Sequence, residues 1–154
     1  MTNNVKVRKA VIADARKIKE LLSHYAGEGK LLDRSLLNIY ENIRNFFVAE
    51  CEGKVLGCCC LHICWEDLGE IRSLAVKEEN KGKGIGKELV EECLEEAKHL
   101  GLKKVFTLTY VPDFFKKFSF ENIGKEALPH KIWSDCINCP KFPDCDETAL
   151  VKEI

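Results

Sequence analysis

A mixed α/β fold, one domain with a mostly antiparallel sheet flanked by helices, follows from three observations on this 154-residue chain. An amphipathic helical pattern follows one short strand near the amino terminus. Three strand-like runs then succeed one another between residues 46 and 76. Beyond them a long helix alternates with single strands to the carboxyl end.

Val5–Ala10 reads as the opening strand. Asp14 offers a cap to a helix whose Ile18, Leu21, Leu22 and Tyr25 fall on one face and which ends near Gly27. A second helix fits Ser35–Arg44, with Leu36, Ile39, Tyr40 and Ile43 inward. The linking GEGKLLDRS is polar and reads as a surface loop of the kind that touches ligands. Phe46–Glu50, Val55–Cys64 and Glu70–Val76 form an antiparallel meander with a turn over Glu52–Lys54. In the next stretch Leu89, Cys93, Ala97 and Leu100 recur at helical spacing, and Gly101 supplies a stop. A strand at Lys103–Tyr110, a short aromatic helix at Asp113–Phe118 and a last strand at Thr148–Glu153 complete the pattern. Leu128–Glu147, with its prolines and cysteines, reads as irregular and in need of a functional role or a staple.

Composition narrows the function. Apolar residues make up 45% of the chain and charged ones 32%, enough for one buried core. Basic and acidic residues nearly cancel, 24 against 25, and no basic run exceeds a dipeptide, which argues against nucleic acid as the main partner. No run approaches the roughly 20 apolar residues of a membrane span, and MTNNVKVRKA lacks the apolar stretch of a secretory signal, so a cytoplasmic protein without membrane contact is expected. The nine cysteines are odd in number and three stand consecutively at Cys58, Cys59 and Cys60, where alternation sends neighbours to opposite faces. Reduced thiols fit this better than a disulfide framework. Cys51, Cys58, Cys59, Cys60, Cys64 and Cys93 read as small core residues, and His62, Trp65, Phe114 and Phe115 as packing, with Trp65 also placed to wall a pocket.

KGKGIG, Lys81–Gly86, lies between a strand and an amphipathic helix. Glycines at 82, 84 and 86 let backbone N–H groups converge on one point, and the helix dipole adds positive potential there, a nest for phosphate or pyrophosphate. A merely flexible helix start is the alternative. The G-x-G-x-G spacing after a meander strand does not suit a dinucleotide fold, and no Gly-Lys-Ser/Thr ending makes a P-loop.

At this loop the residues resemble the GNAT family of N-acetyltransferases, whose signature is [Arg/Gln]-x-x-Gly-x-[Gly/Ala]. Lys81 stands in the first place, with Gly84 and Gly86 in the glycine places. Lysine keeps the charge and lacks the planar fork. GKLLDRS (29–35), FFVAE (46–50), GEIRSLAV (69–76) and FTLTY (106–110) extend the resemblance over nearly the whole chain. They are similar to the short-form amino-acid N-acetyltransferases that make N-acetylglutamate. The resemblance implies a sheet splayed around an acetyl-CoA cleft. The pyrophosphate would lie on Lys81, Gly82, Lys83, Gly84, Ile85 and Gly86, with the pantetheine along Leu74, Ala75 and Val76.

It also implies direct transfer without an acetyl-enzyme. The acceptor amine must first lose a proton, and Glu70 matches the family's glutamate base; a carboxylate at a strand start is otherwise a solvated group. The family's tyrosine acid is replaced by Phe115, and the glycine of its Tyr-x-x-x-Gly-Phe setting by Ser119. Thr109, matching a serine of the glutamate subgroup, is the first substitute and Tyr110 the second; both also read as ordinary strand residues. A glutamate acceptor needs fixed cations. Arg34 matches a subgroup substrate arginine, Arg72 shares a face with Glu70 by alternation, and Lys131 is a weaker third. Ser35 donates to the same carboxylate or caps the second helix.

Cys136, Cys139 and Cys145 form a short-range cluster that suits tetrahedral zinc, completed by His130, Asp146 or a cysteine of the 58–64 strand. Free thiols or a reversible disulfide fit the cluster equally. L-glutamate is the expected acceptor and a homodimer is admitted. Another amino acid, a polyamine or a protein amino terminus as acceptor is the rival enzyme reading. A coenzyme A-binding metal or redox sensor without turnover is the rival from another class.

Overall fold

The computed structural model describes residues 4–127 and 147–154. Seven strands carry the order β1-β2-β3-β4-β5-β7-β6, with β1 Lys6–Lys9, β2 Phe46–Cys51, β3 Lys54–Trp65, β4 Leu68–Val76, β5 Lys104–Thr109, β6 Glu121–Asn122 and β7 Thr148–Glu153. The β1–β2, β2–β3, β5–β7 and β6–β7 pairs are antiparallel, and β4–β5 is parallel. Among the described residues four α-helices complete the order: α1 Ala15–Gly27, α2 Leu36–Glu41, α3 Ile85–Leu100 and α4 Pro112–Lys116. The mixed fold with a mostly antiparallel sheet is the predicted one. Among the described residues no helix is long and apolar enough to cross a membrane. Contacts within the chain resolve into two compact units, Met1–His62 with Ile71–Glu96 and Ile63–Glu70 with Ala97–Ile154.

In the first unit β3 is buried on both faces. Cys58 and Cys60 lie in a cluster with Ile18, Leu22, Tyr25 and Ile39 from α1 and α2, while Cys59 turns the other way and hydrogen-bonds Cys93 of α3. All four thiols are fully buried. Burial pushes the Cys58 and Cys60 thiols up, and for Cys59 the Cys93 bond does so first and burial second. Small side chains on β3 are therefore a packing requirement. At Gly57 even a methyl would come to 3.0 Å from the Ala75 carbonyl and 3.2 Å from Leu89 Cδ1. The predicted inward positions of α1 are all buried, as is Ile39, with Leu36, Tyr40 and Ile43 packed at the edge. The turn between β2 and β3 holds Glu52 at φ 50° and Gly53 at φ 80°, a left-handed pair suited to a tight hairpin.

The predicted elements need correction in four places. Asp14 precedes α1 but does not cap it through its side chain. The second helix stops at Glu41 and passes into a 3-10 turn at Ile43–Asn45, because the carbonyl of Asn38 is shared by the Asn42 N–H and the Asn42 amide. Leu100, expected inward, is 54% exposed at the end of α3, where Gly101 at φ 87° has already turned the chain. Trp65 is 59% exposed rather than packed, on the same side of β3 as the 43% exposed Ile63; Cys51 and Cys64 are half-buried.

In the second unit β5 is flanked by β7 in full register, Lys104↔Glu153 to Thr109↔Thr148, and by β4 over Leu68↔Lys104, Gly69↔Val105 and Glu70↔Phe106. Phe106 packs with Ala149, Leu68 and Leu108 on one face. Beyond β5, Phe115 of α4 stands edge-on to Phe114 and Phe120, at centroid distances of 5.1 and 5.5 Å.

Asp14 has a different task. Its carboxylate accepts two bonds from Arg8, at 2.8 and 3.1 Å, and the Val11 N–H at 2.8 Å, while Arg8 also donates to Glu50 at 2.7 Å. Burial raises the Asp14 carboxyl, but the Arg8 bonds, the Val11 N–H and the Arg8 charge outweigh it and leave the group below its ordinary 3.8. Asp14→Asn is expected to lose about 1–2 kcal/mol at neutral pH, since Arg8 remains partly solvated. The folded-state value being depressed, that contribution is complete above the unfolded value and is lost as the pH falls through the folded one. Urea denaturation of the two proteins should converge as the pH is taken down towards about 2.

Candidate functional site

The glycine loop connects β4 to α3 through a 3-10 turn at Glu78–Asn80. Gly82 at φ 79° and Gly84 at φ 84° hold left-handed backbone with open space where a Cβ would stand, so the glycines serve the turn and not a close contact. The Gly84 carbonyl accepts the Glu88 N–H at 3.1 Å, which makes Gly84 the residue that starts the helix. The N–H groups just inside a helix start have no intrahelical partner, and a helix of 16 residues adds its dipole. Lys81, Lys83 and Lys87 are exposed around this end, while Ile85 is buried and pins it. Lys81 Nζ stands 4.7 Å from the centre of the Tyr25 ring and 3.4 Å from Glu78. Burial lowers the Lys81 ammonium, but Tyr25 and Glu78 more than restore it, so it is charged at neutral pH. The Tyr25 hydroxyl donates to the Val76 carbonyl and ties α1 to the end of β4.

Arg34 is not on the surface as its polar loop predicts; it is 8% exposed. Its backbone is fixed from α1: Lys19 Nζ donates to the Arg34 carbonyl at 2.6 Å, and Asp33 accepts the Arg34 N–H at 3.0 Å and pairs with Lys19 at 3.0 Å. Its Nε donates to Asn38 Oδ1 at 2.7 Å and its Nη1 to Ser73 Oγ at 3.0 Å. The guanidinium lies 5.5 Å from the centre of the Phe46 ring, and its charge partly offsets the rise that burial gives the Cys60 thiol. Among the described residues no carboxylate lies within ion-pair distance of it. Ser35 is the cap of α2, its Oγ accepting the Asn38 N–H at 3.0 Å. Ser73, within β4, has φ 58°, a conformation that side chains other than glycine rarely take. Arg72 beside it is half-buried.

In the second unit Glu70 is 2% exposed and opposite Phe106. Thr109 is buried, and its Oγ1 accepts the Val111 N–H at 2.9 Å; Thr107 is buried two residues earlier. Tyr110 is half-buried. Phe115 occupies a buried aromatic cluster, and Ser119 holds φ 71° where the resemblance expects glycine. Lys131 and the cysteines at 136, 139 and 145 lie outside the described residues. Among the described residues the only group able to gather three metal ligands is His24, Glu28 and Glu78, all exposed; Lys30 pairs with Glu28 and Lys81 with Glu78, so it is an ion-pair network.

Asn38, Ser73 and Tyr25 are the positions that sequence reasoning missed. The i to i+4 spacing from Arg34 points to Asn38 in retrospect. Nothing local signals a left-handed Ser73.

Comparison with known proteins accords with this geometry. The profile of the acetyltransferase (GNAT) family matches residues 15–120, and the chain belongs to that family. It is 49% identical to an uncharacterized N-acetyltransferase of Chlorobaculum tepidum over 96% of each chain. It is 43% identical to an amino-acid acetyltransferase of Mycobacterium tuberculosis, covering 84% of this chain and 75% of that one. Among solved structures it superposes on N-acetylglutamate synthase of Neisseria gonorrhoeae, complexed with coenzyme A and N-acetyl-glutamate, with a TM-score of 0.87 and 25% identity over 99% of this chain and 36% of that one.

Ser119 offers a direct test of the turn after α4. Ser119→Gly should match or raise the thermal midpoint, by up to about 1 kcal/mol of stability, whereas Ser119→Val should lower it by more than that. Equal midpoints for glycine and valine would show that the left-handed backbone carries no cost here.

Proposed function

We propose that this chain is a single N-acetyltransferase domain that moves the acetyl group of acetyl-CoA to the α-amine of L-glutamate, a product suited to arginine biosynthesis. The observation that carries the acceptor is Arg34, a buried cation held by neutral groups. The loop with left-handed Gly82 and Gly84 ahead of α3 supports the donor. The amino-acid acetyltransferase name of the mycobacterial relative and the ligands of the gonococcal structure support both. The family match runs through both compact units, which supports one domain.

In this reading the amides of residues 82–86 and the charge of Lys81 hold the pyrophosphate, and Leu74, Ala75 and Val76 lie along the pantetheine. Arg34 receives a carboxylate of the acceptor, with Ser35, Arg72 and Lys131 as further candidates. Glu70 takes the proton from the α-ammonium, leaving the nitrogen lone pair to form the new C–N bond. The C–S bond then breaks, and Thr109, or Tyr110, donates to the departing sulfur. Much of the acceleration comes from holding thioester and amine together.

Acetylation of a panel of amino acids, polyamines and peptide amino termini by the purified protein tests the acceptor. L-glutamate should give the highest kcat/KM, and a response to glutamate no greater than to the neutral amino acids overturns the assignment. Glu70→Gln should lower kcat about a hundredfold while calorimetric binding of acetyl-CoA persists. A fall of less than threefold removes Glu70 from proton transfer.

A further inference from the structure

We propose that Asn38 and Ser73 are positioning residues that fix the Arg34 guanidinium with neutral acceptors, and thereby set the preference for an acidic acceptor. This rests on the reading that Arg34 meets the acceptor's carboxylate.

A buried arginine is ordinarily neutralised by a carboxylate. Arg34 is 8% exposed, yet its oxygen partners are an amide and a hydroxyl, at 2.7 and 3.0 Å. Such bonds orient a guanidinium without cancelling its charge. Of its five N–H donors, one goes to Asn38 and one to Ser73. Three remain, enough to meet a carboxylate in the paired geometry that arginine favours. The Phe46 ring beneath restricts tilt of the plane.

Both acceptors are themselves held. Asn38 donates its N–H to Ser35 Oγ, and its carbonyl accepts the Asn42 amide at 2.8 Å. Ser73 takes a left-handed backbone within a strand, its carbonyl accepts from the Cys58 thiol at 3.4 Å, and its Oγ reaches Arg34 across 39 residues of sequence. A strained residue whose side chain bonds the one buried arginine of the described core is readily explained as placement.

Three variants test this. Asn38→Asp keeps shape and acceptor but supplies a competing negative charge. Ser73→Gly suits φ 58° and removes the hydroxymethyl side chain. Arg34→Gln removes the cation. KM for L-glutamate should rise at least about tenfold in Asn38→Asp and about threefold or more in Ser73→Gly, with kcat within twofold and acetyl-CoA affinity unchanged. In the Arg34→Gln background Asn38→Asp should add nothing further, an outcome that mere structural damage would not produce. Should Arg34→Gln raise KM while both other variants leave it unchanged, the positioning role is overturned and the carboxylate-binding role of Arg34 stands. Should Arg34→Gln itself leave KM unchanged, the underlying reading fails. If Asn38→Asp does not fold, Ser73→Gly, which relieves backbone strain, decides alone.

Discussion

Strand β3 is thin where helix α3 crosses it, and the position of the glycine loop depends on that thinness. At Gly57 a methyl group would stand 3.0 Å from the backbone of β4 and 3.2 Å from the side chain of Leu89, closer than ordinary contact. The next position facing α3, Cys59, meets Cys93 through a thiol contact, again a short distance between strand and helix. Larger side chains at either place would lift α3 from the sheet and carry its first turn along, because packed interiors do not absorb added volume. Buried Ile85 fixes the helix start, so the two left-handed glycines before it present their amides from a rigid base. The run of cysteines is thus explained by volume: each is small enough for a strand covered on both faces, and burial, with Cys93 beside Cys59, favours the protonated thiols.

Two arginines in the first unit show opposite solutions to one electrostatic problem. Arg8 lies between Asp14 and Glu50, bonded to both, and joins β1, β2 and the turn before α1. Its charge is cancelled and its role is structural. Arg34 is more deeply buried and has only neutral oxygen acceptors among the described residues. Fixing a cation without an anion is unfavourable for folding, since desolvation is not returned by Coulomb attraction. A ligand carboxylate would supply the missing attraction, so part of the binding free energy of an acidic acceptor is stored in the folded protein beforehand. This is an economical basis for discrimination against a neutral amino acid, which would leave the cation buried and unmatched.

What the sequence made legible follows physical range. Helix faces apart from Leu100, the hairpin turn, the stop at Gly101 and the loop before α3 are decided by neighbours within a few residues, and they fall where periodicity and turn chemistry put them. The burial of Arg34 is not of that kind: it depends on Ser73 and Phe46, distant along the chain, while its local setting, between Asp33 and Ser35, reads as a solvated loop. Ser73 and Ser119 take conformations that glycine would have announced. Trp65 is exposed although its type favours burial, because β3 runs on past the covered part of the strand. The resemblance to the family marked Arg34 and Glu70 as site candidates, but no spacing rule reveals the pair that holds Arg34 in place.

The missing tyrosine bears on which end of the reaction needs help. Phe115 is locked among Phe114 and Phe120, so no phenol of α4 takes part. A thiol near the ordinary cysteine value, about 8.5, leaves as a thiolate without prior protonation, and a hydrogen-bond donor is enough to steady it. In the proposed reaction Tyr110 or Thr109 fills that lesser role. With the Thr109 oxygen accepting the Val111 N–H, its hydroxyl proton is directed elsewhere, and the accepted bond makes it a better donor. The register Glu70↔Phe106 puts the Glu70 side chain on the face of β5 that carries Phe106, and alternation puts Thr109 on the other. Nitrogen and sulfur share one carbon in the tetrahedral intermediate, so this register sets the Glu70 side chain apart from that of Thr109 and favours Tyr110 as the donor to sulfur in the proposed reaction. The ammonium is the harder proton to remove at neutral pH, and in the proposed reaction that task falls to Glu70, buried on β4.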